Sequence, residues 1–330
     1  MRRSLKTLAV LALVPILTVC CPTQEPAQVQ PSNAIIWTDP GDIRAKNLYW
    51  GPGGEQDQPK PPVEFQQEDL RGTNPKFDVR DSAEKKWHVK LGAEARPEVA
   101  ASRLLWAVGY SANENYFLPR LHVDNLPPLQ RGQNLVEPGG EVANVRLQRH
   151  PHDEKKVGTW SWRRNPFVGT REFNGLRVMM ALIRNWDLKD ENNAVLQDES
   201  KRRIYEVTDV GTAFGSSGKR HSSAYSKGNL KEFRKGRLIQ KVNGDFVDLH
   251  FPTFPSPVLI FEVRFYFWQM GTRWLGRDIP RKDAKWIGSL LTQLSPDQIR
   301  DVFRAAGFSP EQIEGYTIVL IARIQELNSL

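Results

Sequence analysis

At 330 residues the chain is long enough for one large domain or two small ones with a buried core. Its apolar fraction of 39% and charged fraction of 25% are those of an ordinary globular protein, which excludes a wholly disordered chain. The net charge of +8 owes three cations to Arg2, Arg3 and Lys6, and no Lys/Arg stripe is interleaved with aromatics, so nucleic acid is not the expected partner; the remaining mild basicity suits a nucleotide.

The N-terminus reads as an export signal over residues 1–21. "MRRSLK" is a positive n-region, and "TLAVLALVPILTV" is apolar but shorter than the roughly 20 residues of a membrane span. "LTVCC" resembles a bacterial lipobox, with Val19 where a small residue is expected. Lipidation at Cys20 would tether the chain to a membrane; plain secretion and an uncleaved anchor are the alternatives. All three give an extracytoplasmic address. Cys20 and Cys21 are the only cysteines, so the mature domain holds no internal disulfide.

Residues 22–62 read as a Pro/Gly-rich tether, extended and solvated in "PTQEPAQVQPSN" and "GPGGEQDQPKPP". Between them lie Ile35, Ile36, Trp37, Leu48, Tyr49 and Trp50, which are expected to dock as an irregular strap. Residues 63–160 then read as a β-rich lobe. "VEFQQEDLRG", "KFDVRD" and "KKWHVKLG" form an antiparallel meander, with Trp87 and Val89 on one face and His88 and Lys90 on the other. A helix follows, with Pro97 at its first position, Glu98 in its first turn, an apolar stripe of Val99, Leu104, Leu105 and Val108, and Gly109 as its stop. "YFLPRLHV" and "EVANVRLQ" are further strands.

Residues 161–330 read as a mostly helical lobe. "TREFNGLRVMMALIRN" repeats apolar residues at three- and four-residue intervals and so buries one face. It runs into "NWDLKDENNAVLQ", whose strand pairs across "DESKR" with "RIYEVTDVG". Three tail helices follow, two of them opened by Ser-Pro-Asp/Glu, where Ser caps and Pro takes the first turn.

This arrangement places Asp187 and Asn192 on the loop before a hairpin and Asp209 on the loop after it. Phosphoryl transfer needs such a group: one carboxylate for the proton of the attacking hydroxyl, and an amide oxygen and a second carboxylate for divalent ions. It also needs a Lys for the phosphates and a helix Glu to orient it. Lys90 and Glu98 fit those roles, and Glu94 is a rival partner for the lysine. The bland alternatives are turn and cap roles for Asp187, Asn192 and Asp209 and a solvated edge position for Lys90. His150 and His152 read as exposed loop residues. Trp162 and Phe167 are candidates for a cleft wall near an adenine, or for core packing. The basic, serine-containing run after Asp209 reads as a solvated loop, with charges that suit an acidic substrate.

In order and spacing, residues 63–215 resemble the protein-kinase-like superfamily. "WHVK" is similar to its phosphate-lysine strand, "RPEVAASRLL" to the helix with the partner Glu, "NWDLKDEN" to its Asp-x-x-x-x-Asn catalytic loop and "DVG" to its metal-binding Asp-x-Gly. "VTDVGTAFG" is closer to atypical members: the four-jointed and casein kinases of the secretory pathway, type II phosphoinositide kinases, and HipA-like and CotH-like bacterial kinases. The resemblance implies a two-lobed α+β fold, a small antiparallel β-sheet lobe with one helix above a larger helical lobe. It implies ATP with Mg2+ or Mn2+, Asp187 as base, Lys189 near the transferred phosphate, and Asn192 and Asp209 as metal ligands. The phosphate loop carries one glycine, Gly72, and Trp186 replaces the usual Arg before the catalytic Asp. The expected activity is phosphoryl transfer to a hydroxyl, on a protein or else a glycan or lipid. The rivals are a pseudokinase scaffold, and nucleotidylation or glutamylation on the same fold.

Overall fold

The computed structural model describes residues 33–72, 74–149, 154–217, 225–251, 267 and 270–330. The leader with Cys20 and Cys21, the His150/His152 loop and residues 218–224 of the basic run lie outside them. Residues 33–50 pack against the rest of the chain because their apolar side chains would otherwise face water: Ile36, Ile43 and Leu48 are buried. Strand β1 (Ala34–Ile35) runs parallel to a hairpin strand of the large lobe. Gln298 then binds the carbonyls of Ile43 and Lys46, each at 2.9 Å. Residues 51–62, expected to be extended and solvated, instead form turns, because Asp57 is held by Lys85 at 2.8 Å and by Arg149.

The small lobe begins with β2 (Val63–Glu68), β3 (Lys76–Asp81) and β4 (Lys86–Leu91), an antiparallel meander. Helix α1 (Ala95–Ala107), β5 (Asn115–Asp124), the short β6 (Val136–Glu137) and β7 (Glu141–Arg149) follow. Strand β7 pairs with both β5 and β4, and β5 runs parallel to β2 at Val63↔Val123, so β2, β3, β4, β7 and β5 close into a ring. Phe77, Val79, Trp87, Val89, Leu121 and Val145 fill its interior. On the other side of β4, His88 pairs with Asp78 of β3, and Lys90 faces α1 and the large lobe. Helix α1 starts two residues earlier than expected and puts Pro97 at its third position. Proline is tolerated there because amides of the first turn have no intrahelical partner in any case.

In the large lobe, β8 (Lys155–Gly158) pairs with β9 (Asn193–Gln197), which pairs with β10 (Arg203–Val207). The sequence reading put residues 155–158 with the small lobe; two lysines and a glycine in four residues give no apolar alternation to read. Helix α2 (Arg171–Leu182) is capped by Thr170 Oγ1 on the Phe173 amide at 3.2 Å. The short strands β11 (Ser216–Ser217) and β12 (Tyr225–Ser226) precede α3 (Leu230–Lys235), and β13 (Ile239–Asn243), β14 (Phe246–Leu249) and β15 (Ile279–Pro280) form a small sheet. Helices α4 (Arg281–Leu291), α5 (Pro296–Ala305) and α6 (Pro310–Asn328) close the lobe, the last two with Ser-Gln capping boxes at Ser295 and Ser309. No described helix is long and apolar enough to cross a membrane. The whole is a two-lobed α+β fold, a barrel-like sheet lobe with one helix above a mainly helical lobe.

One buried acid carries a pH signature. Glu206 on β10 accepts from Ser111 Oγ at 2.6 Å, while its Oε1 has no hydrogen-bond partner among the described residues. Burial pushes its carboxyl from the ordinary 4.5 up to about 7. The folded state then holds a proton that the unfolded state has released, so stability is full below about pH 4.5 and is lost as pH rises through about 7. Glu206→Gln mimics the neutral acid. It should match wild type near pH 4 and be more stable near pH 8 by roughly 3 kcal/mol. Denaturant melts at the two pH values check this; an unchanged pH dependence would remove Glu206 as its source.

Candidate active site

The site forms where α2 stops. Helix α2 ends in a Schellman turn, with the Arg184 amide on Ala181 O at 3.1 Å and the Asn185 amide on Met180 O at 3.0 Å. Glycine usually takes the left-handed position of this turn, but here it is Arg184, at φ +56°. Its strain of about 1–2 kcal/mol is held by tertiary contacts. The guanidinium packs where a Cβ on Gly236 would sit, and Arg323 takes the Leu182 carbonyl at 3.0 Å. The chain leaving α2 is thereby aimed at the hairpin.

Backbone and side-chain bonds then hold the loops on either side of the hairpin together. The Asp187 amide donates to Thr212 Oγ1 at 3.2 Å, and that hydroxyl donates to Asn185 Oδ1. Asn192 Nδ2 donates to the Asp187 carbonyl at 2.7 Å. The Thr208 amide donates to Asn192 O at 2.9 Å, and the Phe214 amide to Ile183 O at 2.8 Å. Phe214 sits at φ +55°, held by Phe233, Phe303 and Tyr316. Asn192 is therefore beside Thr208, the neighbour of Asp209. Lys189 Nζ lies 2.8 Å from Asp187 Oδ1, and the lysine side chain is 43% exposed.

Across the lobes, Lys90 is the centre of a carboxylate cluster. Its Nζ is 2.9 Å from Glu98 Oε2, 3.1 Å from Glu94 Oε2 and 3.2 Å from Asp209 Oδ1. The lysine thus takes both partners weighed from the sequence. The three carboxylates converge within 4.8 Å, a spacing that could hold a metal ion, but the ammonium fills their centre. Burial alone would lower the Lys90 pKa; Glu98, Asp209 and Glu94 outweigh it and raise the value, so the lysine stays charged. Burial would raise Glu94, yet Lys90 and Lys227 bring it down to about 2. Complete burial pushes Glu98 up, against the pull of Arg146 and Lys90. Glu98 Oε2 meets Lys90 and, at 3.5 Å, Arg146 Nε as ion pairs and not as aligned hydrogen bonds. Gly211 also has a steric reason: a Cβ there would lie 2.8 Å from Glu94 Cβ.

The structure thus brings Lys90, Glu98 and Asp209 together, and Asp187, Lys189 and Asn192 together beside them. Gly72 is in the β2–β3 turn, outside the Lys90 cluster, and a Cβ there would meet the Lys76 ammonium at 3.9 Å. Its loop is instead tied down by Arg131, which binds the carbonyls of Gly72 and, at 3.0 Å, Asp69; Asn74 reaches Glu94 at 2.6 Å. The aromatics proposed for an adenine wall pack inside the large lobe: Trp162 lies 4.8 Å from Trp160, and Phe167 lies 5.0 Å from Tyr205. Arg146, Lys227 and Asn74 were not singled out by sequence. Arg146 stands opposite Lys90 in the β4–β7 register, a pairing of strands with a helix and two strands between them.

No family model and no curated protein sequence matches the chain. Solved structures do. A Helicobacter pylori proinflammatory kinase, CtkA, is similar at 12% identity and a TM-score of 0.44, over 81% of this chain and 96% of that one. The Rio2 kinase–ADP/Mg2+–phosphoaspartate complex from Chaetomium thermophilum is similar at 13% identity and 0.30, over 79% and 72%. A Golgi casein kinase is similar at 10% and 0.30, over 81% and 73%.

Proposed function

We propose that the chain transfers the terminal phosphoryl group of ATP to a hydroxyl on a protein. One observation carries this reading: a buried ammonium on a small-lobe strand is clasped by the α1 carboxylate of Glu98 and by Asp209 of the large lobe, whose loop is bonded to the Asp187–Asn192 loop. A structural ion pair needs no second lobe; a phosphate-binding lysine must be presented at the junction of two.

In this reading Lys90 binds the phosphates and Glu98 orients it. Asp187 accepts the proton as the acceptor oxygen bonds to phosphorus and the bond from phosphorus to the ADP oxygen breaks. Lys189 sits near the transferred group. Asn192 and Asp209 suit Mg2+ or Mn2+, because both offer only oxygen ligands and the Asn192 amide nitrogen is already spent on the Asp187 carbonyl, which leaves its oxygen free of that bond. A bound divalent ion neutralises phosphate charge.

ATP should therefore raise the melting temperature only with Mg2+ or Mn2+ present, and the rise should vanish in Asp209→Ala. An equal rise in EDTA would overturn the metal assignment, and no rise under any condition would overturn the nucleotide reading.

A further inference from the structure

The groove between α3 and the head of α6 lies next to the Lys90 cluster, and the roles above leave it unused. It encloses about 1120 Å3. Among the described residues its lining carries Lys227, Lys231, Arg234 and Lys235 against one acid, Glu311. Lys231 and Arg234 are exposed and have no ion-pair partner among the described residues, whereas Lys235 is balanced by Glu232 at 2.6 Å. These charges stand on a fixed support. Asn229 caps α3, Phe233 is fully buried beneath it, and Arg323 binds the carbonyls of Phe233 at 2.8 Å and Gly236 at 2.9 Å.

On the phosphotransferase reading above, we infer that this groove docks an acidic segment of the protein acceptor. Two observations select that occupant. First, the groove is continuous with the site: Lys227 lines it and also pairs with Glu94, which pairs with Lys90. A chain held in the groove thus leads toward the reacting groups. Second, among the described residues the lining has four cations, one anion and no aromatic residue. Single-stranded nucleic acid would want aromatic faces for its bases, while Asp and Glu side chains need only the cations. Unpaired cations on a rigid groove raise the association rate of an acidic partner and weaken with salt.

The test uses a fluorescein-labelled peptide with one Ser among Asp and Glu, a matched peptide with Lys in their place, and a single-stranded RNA of similar length. Anisotropy should show binding of the acidic peptide in preference to both others. The double variant Lys231→Glu with Arg234→Glu should weaken it by at least about tenfold. The rise in melting temperature with ATP and Mg2+ should be the same in that variant as in wild type, which keeps this result separate from the nucleotide reading. Equal binding of acidic and basic peptides, or undiminished binding by the variant, would overturn the groove, as would preference for the RNA. Acidic-peptide binding by a chain that ATP never stabilises would overturn the acceptor role.

Discussion

Replacing Asp187 by Asn should lower phosphoryl transfer by about 10²–10⁴-fold, the usual range for a general base, with ATP affinity and melting temperature nearly unchanged. The reason lies in how this loop is built. Its frame rests on the Asp187 backbone, which donates to Thr212 Oγ1 and accepts from Asn192 Nδ2. Among the described residues the side chain meets only Lys189 in that network. Asn keeps the shape and the backbone bonds, and removes the proton acceptor. Asp209→Ala is different, because Asp209 also clasps Lys90 at 3.2 Å and should lose ATP binding and turnover together. Rate, ATP affinity and melting temperature on both variants separate the roles. If Asp187 were only a turn residue, Asn would serve as well and turnover would be undiminished; that result would remove Asp187 from the mechanism.

The parts legible in the sequence are those set by local chemistry. The buried stripe of α2 follows from its spacing, and the caps at Ser295 and Ser309 from Ser-Pro-Asp/Glu, to which the structure adds the reciprocal bonds of Gln298 and Gln312. The hairpin puts Asn193 opposite Val207, so a loop residue at 192 and one at 208 had to be neighbours. What escaped reading is contact between distant elements. Arg146 faces Lys90 only because β7 pairs with β4 as well as β5. Gln298 meets a strap 255 residues away in sequence. The segment at residues 51–62 has a tether's composition, but Asp57 finds Lys85 and Arg149 and folds it. The left-handed Arg184 could not be expected from a sequence rule that reserves such positions for glycine; the contacts of its side chain with Gly236 and Glu232 hold it.

Glu98 should show the largest effect on stability, and a paired substitution can separate that effect from its part in the reaction. Glu98 is 1% exposed and lies between Lys90 at 2.9 Å and Arg146 at 3.5 Å. Removing one member of a buried ion group leaves uncompensated charge and typically costs about 3–5 kcal/mol. Glu98→Met should therefore destabilise by about that amount, with Arg146 carrying most of the penalty, since Lys90 keeps Glu94 and Asp209. Adding Arg146→Met removes the stranded cation and replaces a buried pair by apolar side chains of similar length. Such replacements are often neutral or stabilising, so the double variant should regain most of the lost stability. It should not regain turnover. Lys90 would then be held by Glu94 and Asp209 alone, both on the side of Lys227 and the Asp209 loop, and would lack the α1 carboxylate that aims it at phosphate. Denaturant melts and phosphoryl-transfer rates on the two single variants and the double variant complete the cycle. Recovery of stability with turnover still depressed assigns Glu98 the orienting role. Recovery of both would make it a counter-charge for Arg146, and Glu94 would become the partner of Lys90 in the reaction.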